Sequence, residues 1–513
     1  MSTNLQEVNT GSAAKGLKLK RIGIDTHQDL IVFLKKDNFI CRAEGFASMS
    51  RVRVSTEENS IIASLNVITN GLLAEDEVGL SEAAWRHLNP MKNDTATISH
   101  TRPVDSFAAV RGKLFGNDIN QDNMYEIIKD IVAGRYTQIQ LSAFILACLA
   151  DQLNLDEMCS LTSAMVKTGD KLIWPQEIIV DKHCVGGLPG NRTTPIVVAV
   201  VAACGLTMPK TSSRAITSPA GTADTMETIT TVSLSLEQMR KVVEKEGACL
   251  AWGGTVNFSP SDDKLIQIER ALELDSEGQM VASILSKKLA AGATHVVIDI
   301  PVGPTAKVRS HAFAKRLAKK LISVGIRMNL VVKPFISDGT QPVGRGIGPA
   351  LEMLDIIDVL QNKPDAPQDL KERAVKIAGE ILEMAEYCKP NEGKKHAQTI
   401  IKNGQAWQKF QAICIAQGGI KEIPKPICKH EILAPKNGIV CYFNNRFISR
   451  LAKLAGAPND KAAGLKFHIK LGDKINKGDK MFTIFSESQG ELQYALNFLN
   501  NHPDEIRIED EIV

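Results

Sequence analysis

Eight consecutive apolar residues at 196–203 (Ile-Val-Val-Ala-Val-Val-Ala-Ala) leave the surrounding chain few folds to adopt. A segment with no polar face must be enclosed on every side by other elements. The apolar segment Ile178-Ile-Val precedes it, and further apolar stretches at 296–300 and 330–332 alternate with amphipathic helical patterns such as 310–324. That alternation predicts a layered α/β sheet domain spanning 178–259 and 291–425.

The length of 513 residues exceeds what one core supports, and about three to four domains are expected. Short alternating segments (Leu17-Lys-Leu-Lys-Arg-Ile, Leu30-Ile-Val-Phe-Leu, Arg51-Val-Arg-Val, Ile61-Ile-Ala-Ser-Leu) predict a β-rich, barrel-like module over 16–103 after a disordered tail at 1–15. Val78-Gly-Leu-Ser-Glu-Ala-Ala-Trp resembles the amino-terminal double-psi barrel segments of some AAA ATPases, which implies a scaffolding role. Met124, Ile127, Ile128, Ile131 and Val132 recur at helical spacing, as does 141–149 behind the N-cap candidate Thr137, and 156–166 reads as a third helix. These predict an α-helical subdomain over 118–177, joined by about 260–290. Pro424-Lys-Pro-Ile marks a linker to a carboxy-terminal, barrel-sandwich-like α+β domain at 432–513. Within it, Leu471-Gly-Asp-Lys-Ile-Asn-Lys-Gly-Asp-Lys-Met-Phe-Thr-Ile resembles the hairpin of a biotinyl or lipoyl carrier. No Met-Lys-Met attachment site follows, so a structural cap is expected. The fold class is therefore multidomain α/β.

A net charge of +3 without a dense Lys/Arg block argues against nucleic acid as a partner and favours a small anion held by a few local cations. Ten cysteines without a C-x-x-C pair read as reduced thiols and predict a cytoplasmic protein. No apolar run approaches the roughly 20 residues that span a bilayer, so no membrane partner is expected. The ten histidines form no ligand pair, so no metal is expected either.

Chemistry-bearing residues concentrate between 181 and 227. Asp181-Lys-His-Cys-Val-Gly-Gly-Leu-Pro-Gly-Asn-Arg-Thr-Thr couples a strand to a glycine-rich turn and a helix beginning near 193–195. A helix start offers backbone N–H groups to an oxyanion such as phosphate; Lys182 adds charge, and Thr193 and Thr194 add hydroxyl donors. No G-x-x-x-x-G-K-[ST] loop is present. A second loop, Thr211-Ser-Ser-Arg-Ala-Ile-Thr-Ser-Pro-Ala-Gly-Thr, carries six hydroxyl residues in twelve before an acidic helix start. Two adjacent strand-to-helix turns at one end of a sheet are where open α/β folds bind ligands.

The pair D-K-H-x-x-G-G and S-x-R-x-x-x-x-x-x-G-T-x-D-x-x-E resembles the signature of thymidine and pyrimidine-nucleoside phosphorylases. The similarity extends through Ser259-Pro-Ser-Asp-Asp-Lys, Ala282-Ser-Ile-Leu-Ser-Lys-Lys-Leu-Ala and Asp338-Gly-Thr-Gln-Pro-Val-Gly-Arg-Gly-Ile-Gly-Pro-Ala-Leu-Glu to the carboxy-terminal domain. The long amino-terminal module is similar to a branch that includes archaeal AMP phosphorylases and bacterial thymidine phosphorylase-like proteins. The resemblance implies a pentosyltransferase that cleaves thymidine with phosphate to thymine and 2-deoxyribose 1-phosphate, or alternatively a nucleoside 5′-monophosphate to base and ribose 1,5-bisphosphate. It implies phosphate contacts from Lys182, Cys184, Thr194, Ser212 and Thr222, with His183 facing the base. Cys184 stands where thymidine enzymes usually carry Ser. It further implies nucleoside or nucleotide contacts from Gly187, Ser213, Arg214, Ala215, Ile216, Thr217, Ser218, Thr222, Ser283, Lys287 and Lys307, with Asp275 as proton donor. Ile268 occupies the place of an Arg that thymidine enzymes use to read a pyrimidine, and so leans toward the monophosphate.

Phosphorolysis needs an anionic nucleophile beneath the sugar and a donor to the leaving base above it. Lys182 with the hydroxyl loops meets the first need; Asp275 or His183 meets the second. Inorganic phosphate is then a substrate, and no cofactor is expected. Closure of the helical subdomain on the α/β domain and a homodimer or larger homo-oligomer are the accompanying expectations. Two other readings compete: a phosphoribosyltransferase of the anthranilate type, needing a diphosphate donor and Mg²⁺, and a non-catalytic assembly protein built on the two β modules.

Overall fold

The computed structural model describes residues 16–26, 29–101, 104–149, 153–215, 218–274 and 276–510. The tail expected at 1–15 lies outside them. Packing divides the chain into two units, 1–147 with 263–274, and 148–262 with 275–513.

The first unit opens with six strands: β1 (Leu17–Arg21), β2 (Ile31–Lys35), β3 (Arg51–Ser55), β4 (Ser60–Ile68), β5 (Glu77–Leu80) and β6 (Thr95–His100). They close a barrel in the order β1-β5-β2-β4-β3-β6, in which β1 with β5 and β2 with β4 run parallel. Alternation puts Val52, Val54, Ala63, Leu65, Val78 and Leu80 inside. Closure leaves no strand edge unpaired, which suits an otherwise short-stranded module. Beyond the short helix Phe107–Leu114 lie two longer ones, Gln121–Val132 and Gln138–Ala147. The first buries Met124, Ile127, Ile128 and Ile131 on one face. The second begins where Gln140 N–H donates to Thr137 Oγ1 at 3.2 Å, the expected cap. Lys264 Nζ closes the first helix by donating to the carbonyls of Ile131 (3.0 Å) and Val132 (2.9 Å), where a cation meets the negative end of the helix.

The helices expected as one subdomain are thus shared out. Those at 121–147 pack with the barrel, whereas Leu155–Lys167 and Glu277–Ala290 pack together in the second unit. Burial explains the second pair: Met158, Leu161, Ala164 and Met165 meet a helix buried along most of its length.

The second unit is built on β7 (Val180–Cys184), β8 (Met208–Ser212), β9 (Ala248–Trp252), β10 (His295–Val302) and β11 (Val331–Asp338). β11-β10-β7 form one parallel sheet and β8-β9 another, and a parallel bridge between Ile179 and Thr207 joins them in the order β9-β8-β7-β10-β11. The order changes direction at β7, so the crevice beyond its carboxyl end is a topological switch point. β11 lies at the edge, which tolerates Pro334 because no ladder partner needs its missing N–H. The apolar run forms the helix Thr193–Ala203, with residues 193–202 all buried, and Pro195 falls in its first turn, where a missing N–H costs nothing. β-Branched residues fill this helix because enclosure between the sheet and the helices Gln368–Met384 and Gln405–Ala416 outweighs their modest helix propensity.

The carboxy-terminal region holds two small sheets. One pairs Gly346–Ile347 (β12), Gly464–Phe467, Lys480–Ser486 and Cys428–Leu433; the other pairs Lys474–Ile475, Gly438–Phe443 and Ile506–Glu509. The carrier-like stretch is not one hairpin: Lys474–Ile475 pairs with Gly438–Phe443, while Lys480–Ser486 pairs with strands of the other sheet. No helix of the described residues is long and apolar enough to cross a membrane.

One buried ion pair ties distant parts of the second unit. Arg192 Nε donates to Glu352 Oε2 at 2.7 Å, and Thr225 Oγ1 donates to the same oxygen at 2.9 Å. Glu352 is 1% exposed, so losing it leaves a mostly buried guanidinium without its counter-ion. Glu352→Ala is expected to lower unfolding free energy by about 3–5 kcal/mol, read from urea melts. A loss under about 1 kcal/mol would mean that Arg192 finds other partners.

Candidate active site

Residues from both loops meet at the first turn of the helix Thr193–Ala203. β7 brings in Lys182, 1% exposed, whose Nζ donates to Thr193 Oγ1 at 2.8 Å and lies 3.4 Å from Thr194 Oγ1. Among the described residues no carboxylate pairs with this ammonium; burial pulls its pKa below the ordinary value, with Cys184 and Asp299 pulling back. From the hydroxyl loop, Thr222 accepts from Arg192 Nη1 at 3.1 Å, and Ala220 O accepts from Arg192 Nη2 at 2.7 Å. Arg192 directly precedes Thr193, so Lys182 and Thr222 face the same helix start.

The glycine turn after β7 is dictated by close approach. Gly187 has φ +81°, and a Cβ there would lie 2.4 Å from the backbone N of Lys307. Gly190 has φ +71°, and a Cβ there would lie 2.2 Å from Val343 O. Gly187 and Lys307 therefore sit together at the switch point, from the loops that follow β7 and β10.

Cys184 ends β7, and Asn191 Nδ2 reaches its sulfur at 3.4 Å while donating to Asp299 Oδ2 at 3.0 Å. Burial, reinforced by the Asp299 charge, pushes the Cys184 thiol up to about 12, so it stays protonated and acts at most as a weak donor. Asp299 is fixed on its other oxygen by Ser337 Oγ at 2.5 Å. Ser212 ends β8 and donates to Ala251 O at 3.2 Å.

The loop after β8 is organised by a carboxylate. Asp224 Oδ2 accepts from the N–H of Ala215 at 2.6 Å and of Gly221 at 2.9 Å. Arg214 is engaged by acids: Nη1 reaches Asp224 at 3.1 Å and Glu227 at 2.7 Å, Nη2 reaches Glu227 at 2.7 Å, and the guanidinium stacks 4.5 Å over Trp252. This holds the Glu227 carboxyl down at about 2, and Arg214 thereby helps to shape the loop. Ser213 O accepts weakly from Ala223 N (3.4 Å), and Ser218 Oγ donates to Ala220 O at 2.8 Å, both inside the same loop. Ile216, Thr217 and Asp275 lie outside the described residues.

Ser283 and Lys287 are one helical turn apart; Lys287 Nζ donates to Ser283 Oγ at 3.3 Å and pairs with Asp262 at 2.5 Å. Beneath β7, Asp181 receives Lys288 at 2.6 Å and Lys210 at 3.6 Å. Two buried lysines thus share one carboxylate, and burial takes Lys210 down to about 7. His183 feels this excess of cations. Burial first, then Lys288, Lys210, Lys287 and Lys182, drives its pKa well below 6.5 and leaves a neutral imidazole. A neutral ring donates one N–H hydrogen bond but is not a stored acid at neutral pH.

Sequence patterns pointed to Lys182, Cys184, Gly187, Thr194, Ser212 and Thr222, and the structure brings these to the two adjoining turns. Arg192, Asp299, Asn191 and the Asp181–Lys210–Lys288 cluster were not assigned roles. Asp181, Asp224 and Glu227 were visible as letters of the two signatures, although their task, holding cations and N–H groups, required partners far away in sequence.

Lysine and hydroxyl donors thus gather at two glycine-bearing turns beside the switch point, and comparisons with known proteins define the class as a pentosyl-transferring glycosyltransferase. Family profiles match the glycosyl transferase family α/β domain over 176–407, its helical bundle domain over 108–169, and the pyrimidine nucleoside phosphorylase C-terminal domain over 439–503. A "Putative thymidine phosphorylase" of Hahella chejuensis is 55% identical over 496 residues, covering 96% of this chain and 98% of its own. One from Legionella pneumophila (strain Corby) is 51% identical, covering 98% of both chains. Anthranilate phosphoribosyltransferase from Thermus thermophilus shares the fold at a TM-score of 0.51 and 17% identity, covering 60% of this chain and 99% of its own. The chain belongs to the thymidine phosphorylase family.

The His183 environment has a consequence for pH. Its folded pKa lies below the unfolded value near 6.5, so the unfolded chain binds a proton that the folded one refuses, and stability falls as pH drops below about 6.5. Imidazole NMR of the ligand-free protein should show no His183 titration centred near 6.5, and His183→Gln should lose less stability than the parent between pH 7 and 5. A His183 midpoint at or above 6.5 would contradict the electrostatics described.

Proposed function

We propose that this chain catalyses phosphorolysis of a nucleoside of the thymidine type. A phosphate oxygen forms a bond to C1′ of the pentose, the bond from C1′ to the base nitrogen breaks, and its electron pair leaves with the base, which then takes up a proton. The products are free base and pentose 1-phosphate. The observation that carries this reading is the buried Lys182 ammonium, held by hydroxyls at a helix start and lacking a carboxylate partner among the described residues. An incoming phosphate supplies the missing counter-charge and restores the cation that burial disfavours. Thr194, Ser212 and Thr222 complete the phosphate seat, with Cys184 as its weakest donor.

Ser283 and Lys287 would hold the base, and the neutral His183 would donate one hydrogen bond to it. Negative charge growing on the leaving base is favoured by Lys182, Lys210, Lys287 and Lys288, the same cations that keep His183 neutral. Gly187, Lys307 and residues 213–218 would bound the sugar side, and the proton would come from Asp275. The relatives' names and the phosphorylase-type carboxy-terminal domain support thymidine over a nucleoside 5′-monophosphate. Arg214, already paired with Asp224 and Glu227, adds nothing to the monophosphate reading.

The test is base release from thymidine, uridine, AMP, CMP and UMP, with and without phosphate. Thymidine should give phosphate-dependent thymine. Release from a monophosphate but not from thymidine would replace this reading with its alternative, and no release from any of the five would end it. Lys182→Ala and Lys182→Met should each lower turnover by at least about tenfold, the scale of a lost charged contact. Their thermal midpoints should not fall, because an uncompensated buried cation stabilises nothing. Full activity in a folded Lys182→Ala protein would count against the phosphate seat.

A further inference from the structure

Away from Lys182, a cavity of about 320 Å³ opens where Arg345 meets the strand Gly464–Phe467 and the residues after it. Small-molecule sites span roughly 300–1,000 Å³, so this one suits a compact ligand. It is lined by Arg345, Lys466, Phe467, His468, Ile469 and Lys470, with no carboxylate in the lining. Strand alternation creates the charge. Leu465, Phe467 and Ile469 turn into the core, which leaves Lys466, His468 and Lys470 on the open face.

Lys470 is committed to structure, donating to Pro342 O (3.0 Å), Gly344 O (2.6 Å) and Asp369 (2.7 Å). The Arg345 guanidinium and the Lys466 ammonium, by contrast, have no hydrogen-bond or ion-pair partner among the described residues. His468 shares one ring nitrogen with Thr483 Oγ1 at 3.1 Å. Partial burial first, then Lys466 and Lys480, then Arg345, lower its pKa, with Glu431 opposing. The backbone that carries Arg345 is held in place. The N–H groups of Arg345 and Gly346 donate to Asp355 at 2.6 and 2.7 Å, and that of Gly344 donates to Asp369 at 3.0 Å. Such a scaffold lowers the ordering cost of binding. Two residues earlier, Val343 N donates to Pro189 O at 3.2 Å, so the same loop also touches the glycine turn after β7.

We propose that this cavity is a second anion site, taking a small phosphate-bearing molecule through the Arg345 guanidinium, the Lys466 ammonium and an N–H of His468. The planar guanidinium suits two phosphate oxygens and the ammonium a third, a geometry that one surface lysine does not provide.

The experiment titrates inorganic pyrophosphate into the full-length chain by calorimetry, in a Lys182→Ala background that disables the catalytic phosphate seat. Binding is the readout, so the outcome is independent of the phosphorylase reading. One site per chain is expected to persist in Lys182→Ala and to weaken at least about tenfold when Arg345→Gln and Lys466→Gln are added. The pair Lys402→Gln and Lys436→Gln, both exposed and outside the lining, should leave it unchanged. Absence of pyrophosphate binding in Lys182→Ala would overturn the proposal. So would equal affinity after the Arg345 and Lys466 substitutions in a protein of unchanged thermal midpoint, or an equal loss in the control pair.

Discussion

The contact on which the second unit turns is the Arg192 guanidinium. It sits at the residue before the apolar helix, reaches back to Ala220 and Thr222 of the hydroxyl loop, and is neutralised by Glu352, 160 positions along the chain. A guanidinium with several fixed donors can hold a carboxylate, a hydroxyl and a carbonyl at once, which an ammonium cannot do in the same plane. That one group places the Thr222 hydroxyl against the turn that carries Thr193, and Thr193 in turn holds Lys182. Without it, the two loops would be independent excursions from a sheet.

Around this joint the chain concentrates cations beyond what its own acids balance. Asp181 serves both Lys210 and Lys288, Asp262 serves Lys287, and among the described residues the Lys182 ammonium meets only hydroxyls. Burying such an excess is unfavourable in the empty protein and becomes favourable when an anion enters. Burial is the first cause of both the depressed pKa of Lys182 and the neutral state of His183, and at His183 the neighbouring lysines add to it. The imbalance also separates the acids by task. Asp224 and Glu227 hold the hydroxyl loop and Arg214, whereas Asp299 fixes Asn191 against the thiol of Cys184.

Much of this was legible in the chain alone. Period-two alternation located the barrel strands at 17–21, 31–35, 51–55 and 60–68, because a closed barrel must send every second side chain inward. The helices at 121–132 and 138–147 showed their buried faces and their caps. Less legible were features made by distant partners. The helices grouped as one subdomain divide between two units, because helical periodicity reveals a buried face but not what covers it. The carrier-like stretch splits between two sheets for a similar reason: a turn with strands on both sides does not dictate that those strands pair with each other.

By itself the sequence determined which residue types stand at the two turns, that an apolar helix lies between them, and hence that Lys182 and the hydroxyls of the two turns belong to one end of a parallel sheet. Local spacing suffices for this, because strand, turn and helix are short-range objects whose periods are written in the chain. Only the tertiary structure decided charge. Arg214 pairs with Asp224 and Glu227, the Arg345 guanidinium has no hydrogen-bond or ion-pair partner among the described residues, and His183 stays neutral. Coulomb and desolvation energies depend on distances between groups far apart in sequence and on how much water lies between them, and no linear spacing encodes either.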